Sequence, residues 1–92
     1  MTKLGQLIDD RGKQRSIKER MVLEAKNRPC ADCRHGFHSS VMEFDHLPQF
    51  EKLFNIAQWR QHNRKEIRAE IAKCEVVCAN CHRLRTWERS HE

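Results

Sequence analysis

The chain has 92 residues, enough for one small domain, and Leu, Ile, Val and Phe together supply only 19 of them. With 34% charged residues, that apolar stock is thin for a self-sufficient core and calls for a staple. The net charge of +5 is spread along the sequence, which suits a polyanion partner, DNA or RNA first, as well as it suits plain solubility. No run of 18 apolar residues occurs, and the opening MTKLGQLIDDRGKQ turns polar within eight residues. Both features argue against a membrane span and a secretory signal and predict an intracellular protein. In that setting, cysteines in Cys-x-x-Cys pairs bind metal more readily than they form disulfides, and an odd total of five fits a disulfide framework badly.

In chain order, residues 3–15 read as a short, weak helix carrying Leu4, Leu7 and Ile8, interrupted by Gly5 and Gly12. Ser16-Ile17-Lys18-Glu19 is a capping-box pattern. It predicts a helix from Ile17 that buries Ile17, Met21 and Ala25 and stops before Arg28-Pro29. Residues 1–28 are thus expected to form an N-terminal helical extension, with the main domain over 29–92. Val41–Asp45 is the best strand candidate, with Met42 and Phe44 on one face, ended by Leu47-Pro48. Residues 49–58 read as a loop pinned by Phe50, Leu53, Phe54 and Ile56. Asn63 and Glu66 can cap a helix running to about Lys73 with Ile67 and Ile71 buried, and a second short strand follows over Cys74–Val77. A last helix is expected from about His82, with Leu84 and Trp87 on one face.

Two knuckles carry the strongest chemical signal. Cys30-Ala31-Asp32-Cys33 and Cys78-Ala79-Asn80-Cys81 each let two thiolates reach one metal at the tetrahedral angles zinc requires. One such pair alone is compatible with redox chemistry; two predict a structural zinc held by Cys30, Cys33, Cys78 and Cys81. His35, His38 and Cys74 are rival ligands, although Cys74 reads better as a small apolar strand residue. The 44 residues between the knuckles exceed any simple zinc-ribbon spacer of about 15–20. Inside that gap, Asp45-His46 sets a hard oxygen ligand beside a base, and His82 follows the last knuckle cysteine directly. In a regular strand Asp45 and His46 point to opposite faces, so joint action on one phosphate predicts a bend or bulge there. Taken singly, these residues read as readily as a surface Asp-His pair and a helix-capping His.

Taken together, CADC, FDHLP and CEVVCANCHRLRT resemble the HNH nuclease family, in its zinc-stapled ββα-metal form, over residues 30–86. The resemblance implies an α+β, ββα-metal fold with a four-cysteine zinc and an N-terminal helical extension. It also implies a divalent-metal-dependent DNA endonuclease that hydrolyses phosphodiester bonds, a monomer nicking one strand. His46 would be the general base, Asp45 and His82 the ligands of the catalytic ion, and Arg83, Arg85 and Arg89 the contacts to the DNA backbone. Magnesium would serve as that ion, with manganese, nickel or zinc also suited to a histidine ligand. Family analogy adds a bacterial or phage-infected host cell as the setting and a larger phage or mobile-element protein as a partner. One position departs from the pattern. Lys73 stands where the family has an asparagine that braces the loop next to the base, leaving Asn55 and Asn80 as substitutes. The competing readings are a catalytically silent zinc module that binds nucleic acid or protein, and a thiol redox protein using one knuckle.

Overall fold

The computed structural model of the chain describes residues 16–91, so the helix expected over 3–15 lies outside the described residues. Helix α1 spans Ile17–Ala25, and Ser16 Oγ accepts the Glu19 amide at 3.0 Å, the serine half of the expected box. Its buried residue is Val22, while Ile17 is half exposed, so the predicted stripe of Ile17, Met21 and Ala25 is rotated from the observed one. The cause is what α1 packs on: Val22 meets Ile56 and Ile67, with Met21 beside them.

The first knuckle follows. Arg34 closes its turn at a φ of 68°, and the Cys30 amide donates to the His35 carbonyl at 2.9 Å. Strand β1, Met42–His46, pairs antiparallel with β2, Cys74–Cys78, from Met42 opposite Cys78 to His46 opposite Cys74. The register is regular through Asp45 and His46, so the expected bulge does not form. Among the described residues β1 has a neighbour on one side only.

Between the strands lie the 47–55 loop, a 3-10 segment over Ile56–Gln61 that sequence periodicity missed, and helix α2, Arg64–Ile71. Asn63 and Glu66 form both halves of a capping box at the α2 start, as the sequence predicts. The loop's expected anchors divide: Ile56 is buried and Phe54 stacks on His62, but Phe50 and Leu53 are exposed.

Helix α3, Ala79–Ser90, starts inside the second knuckle, three residues before the predicted start. Leu84 and Trp87 share one face of it, as expected three residues apart on a helix, and that face is exposed. The result is a small α+β unit with a two-stranded sheet and two apolar clusters. One gathers Cys30, Met42, Val76, Val77 and Cys78; the other gathers Val22, Ile56 and Ile67; Phe44 packs against both. No helix among the described residues is long and apolar enough to cross a membrane.

Candidate metal centres and cleft

The knuckles converge. Ligand atoms of Cys30, Cys33, Cys78 and Cys81 all lie within 4.8 Å of one another. Sulfurs on a tetrahedral zinc at about 2.3 Å sit roughly 3.8 Å apart, so under an ångström of closure would complete the site. Cys30 is fully buried, and its Sγ accepts amides from Asp32, Cys33 and Cys78 at 3.4, 3.5 and 3.3 Å. Burial opposes a thiolate there, but the three amides outweigh it and bring the Cys30 thiol down to about 6. Burial and the neighbouring sulfurs push Cys81 up to about 12. A cluster that favours one thiolate and resists more of them is one that a divalent cation would neutralise. Its donor set suits zinc or another thiophilic ion. The rival ligands fall elsewhere: His38 Nδ1 accepts the Ser40 amide, and Cys74 packs beside the Ile67 cluster, its thiol pushed up to about 11 by burial.

A cleft of about 700 Å³ is lined by Glu43, Asp45, His46, His82, Arg89 and Trp59, among others. Consecutive β1 residues from both faces line it, so the cleft runs along the unpaired edge of the strand. That edge brings Asp45 and His46 to one space without a bulge. His82 projects from the first turn of α3, held in phase by Cys81. Its Nε2 lies 3.4 Å from Asp45 Oδ1, and its Nδ1 lies 2.6 Å from Glu43 Oε1. Two cis ligands of an octahedral ion at about 2.1 Å sit roughly 3 Å apart, so this oxygen and nitrogen fit one divalent ion. Glu43 supplies the carboxylate that commonly orients a metal-bound histidine through its other ring nitrogen.

Asp45 is nearly buried, at 3% exposure, and clasped by arginines. Arg85 Nη1 reaches its Oδ2 at 2.6 Å, while Arg89 Nη1 and Nη2 reach Oδ1 and Oδ2 at 2.8 and 2.9 Å. Burial raises the Asp45 pKa, but the two guanidiniums overcome it and hold the carboxyl below the usual range. Arg85 also forks onto Asp32 through Nε and Nη2 at 2.7 and 2.6 Å, and reaches Glu75 at 2.7 Å. Asp32 first, then Asp45 and Glu75, raise its pKa against the opposing effect of burial. Of the three arginines singled out in the sequence, Arg85 is therefore engaged with three carboxylates, Arg89 lines the cleft on Asp45, and Arg83 is exposed beside Asn80 and His82.

His46 turns its Nε2 to Glu70 Oε2 at 2.9 Å. Glu70 is buried, at 1% exposure, and sequence reading passed over it. The signal was present: Glu70 is three residues after Ile67 and one before Ile71, a charge on the apolar stripe of α2. Lys73 donates to the Glu51 carbonyl at 2.7 Å, so the loop is gripped from the position where asparagine was expected. Asn55 and Asn80 each border one of the two hollows beside His82. His62, away from the cleft, pairs with Glu66 and stacks on Phe54. Comparison with known protein families, with curated proteins and with solved structures finds no match to this chain.

Proposed function

We propose that the chain is a divalent-metal-dependent DNA endonuclease of the HNH kind, with β1, β2 and α3 as its ββα unit and a structural zinc on the four cysteines. The observation that carries this reading is one cleft lined by Asp45, His46 and His82, with the Asp45 oxygen and His82 nitrogen 3.4 Å apart. The bound ion, magnesium or a similar cation on Asp45 and His82, would polarise a phosphate oxygen and stabilise the leaving oxygen. His46 takes a proton from water, which attacks phosphorus as the bond to the 3′ oxygen breaks. Lys26, Lys52 and Arg89 line the same cleft and would meet the phosphates, with Arg83 on the adjoining surface.

One observation favours a second reading, a silent zinc module. Both Asp45 oxygens are already bonded to arginine, as in a purely structural ion pair. The nuclease reading requires Arg89, more exposed than Arg85, to yield Oδ1 to the ion. Nicking of supercoiled plasmid with and without EDTA decides between them. The nuclease nicks in a metal-dependent way and loses about 10²–10⁴ in rate on His46→Ala, with zinc and DNA affinity retained. The module shifts DNA on a gel and cuts nothing. Parental nicking by a folded His46→Ala protein would move the role of base to another residue.

A further inference from the structure

The Glu70 carboxylate joins three parts of the molecule. Its Oε2 accepts both from His46 Nε2 and from the Leu53 amide, each at 2.9 Å. Its Oε1 accepts from Lys73 Nζ at 3.0 Å, and the same ammonium donates to the Glu51 carbonyl at 2.7 Å. The Lys73 carbonyl in turn accepts the Leu47 amide at 2.9 Å. The loop that follows His46 is thus tied at 47 and 51 to Lys73, just past the end of α2, and at 53 to Glu70 in its last turn, which also holds the imidazole. An ionised carboxylate accepts only, so a neutral His46 facing it carries its proton on Nε2. The other ring nitrogen, Nδ1, has no protein partner among the described residues.

We propose that Glu70 and Lys73 form a positioning pair that fixes the His46 tautomer and ring orientation, leaving Nδ1 as the atom that accepts the proton. The role of His46 rests on the nuclease reading; its tautomer does not. Glu70 holds the ring and Lys73 holds Glu70 and the loop, which together do the bracing work for which no asparagine is present. In the proton transfer, a water O–H bond breaks, the proton goes to Nδ1, and the Nε2 proton stays shared with Glu70.

Glu70→Gln is nearly isosteric and exposes the logic. Lys73 draws the glutamine carbonyl to itself, which turns the NH₂ group toward His46 at the cost of the hydrogen bond from the Leu53 amide. Nε2 must then accept, and the imidazole proton moves to Nδ1. Adding Lys73→Met removes that pull, so the carbonyl can return to His46 and Leu53. The test is long-range ¹H–¹⁵N correlation of the His46 ring in the zinc-loaded full chain, with pH raised until the ring spectrum no longer changes. The parent should show the Nε2–H form, Glu70→Gln mainly Nδ1–H, and the double variant Nε2–H again. In plasmid nicking, Glu70→Gln should lower kcat about 10–100-fold with little change in KM, and Lys73→Met should recover part of the loss. An Nδ1–H parent, or a Glu70→Gln protein that keeps the parental tautomer and kcat, overturns the proposal. A parent that nicks nothing overturns the nuclease reading alone, because the ring spectra still decide the tautomer.

Discussion

The two ends of the sheet are stabilised by different means. At the knuckle end, Cys30, Met42, Val76, Val77 and Cys78 make a cluster whose neighbours include the remaining sulfurs, and four ligands converge on one point. At the α1–α2 end, Val22, Ile56 and Ile67 make the buried cluster, Met21, Phe44, Trp59, Ile71 and Cys74 pack against it, and polar clamps take the place of the sulfurs. Glu70 holds the loop there, and Lys18 reaches across to the Arg60 and His62 carbonyls at 3.3 and 2.8 Å. Coordination is strong and all-or-none, whereas each hydrogen-bonded clamp is worth only about 1 kcal/mol. The candidate catalytic groups lie along the seam: Asp45 and His82 are anchored from the knuckle side, His46 from the α2 side.

Removing the metal should have the largest effect. A core this small would gain much of its stability from a metal on the four cysteines, so chelation or Cys78→Ser should abolish the cooperative melt followed by circular dichroism. Elemental analysis should find one zinc per chain. A metal-free chain that melts as the parent does would overturn the contrast between the two ends.

Ile67→Ala should come next. Ile67 is fully buried at the meeting point of α1, α2 and the 3-10 segment, and its truncation costs about 2–5 kcal/mol. Zinc should stay bound while amides of α1 and α2 lose hydrogen-exchange protection ahead of β2. Equal loss of protection at both ends would show one cooperative unit in place of two differently held ones.

Arg85→Leu probes the seam. Asp45 keeps Arg89 but loses its second guanidinium, so the expected loss is about 2–3 kcal/mol, or roughly 10–20 °C in Tm. The Asp45 carboxyl is held below its ordinary value of 3.8, so its contribution is fully present above that value and fades only as pH falls through the lower folded one. The stability gap between parent and variant should therefore stay constant from about pH 8 to about pH 5. A gap that closes within that window would mean that the buried pair is not what the variant removes.

Much of the fold was legible because its signals are local. Ser16, the Asn63–Glu66 box and the knuckle spacing act within a few residues, and the helix starts and the metal cluster follow from them. The phase of α3 was not legible from hydrophobicity. Cys78 and Cys81 face Cys30 and Cys33, and that convergence carries His82, Arg85 and Arg89 round to the sheet side. At about 100° per residue, Leu84 and Trp87 are left on the opposite side, in solvent. The cysteine cluster and the carboxylates of the sheet, not an apolar stripe, set the face that α3 turns inward. The clasp on Asp45 was hidden for a related reason: arginines three and seven residues after His82 look like a basic, phosphate-facing helix until the buried aspartate across the sheet is known. Glu70 carried a local sign, a charge on the apolar stripe of α2, but its role did not show there, because His46 and Leu53 lie 24 and 17 residues away.

The smallest effect on stability should come from Arg83→Ala, and it separates the two roles a basic helix can have. Arg83 is exposed, so its loss should leave the unfolding free energy within about 0.5 kcal/mol of the parent's. In the nuclease reading it contacts the DNA backbone, so binding to all duplexes should weaken alike, and the slope of log K against log salt should flatten by about one unit. Arg85→Leu should show the reverse pattern, a large loss of stability with little change of slope, because its guanidinium is already engaged by Asp32, Asp45 and Glu75. If Arg85→Leu flattens the slope as much as Arg83→Ala does, Arg85 exchanges its carboxylates for phosphates on binding, and the seam between the two ends is remade when DNA arrives.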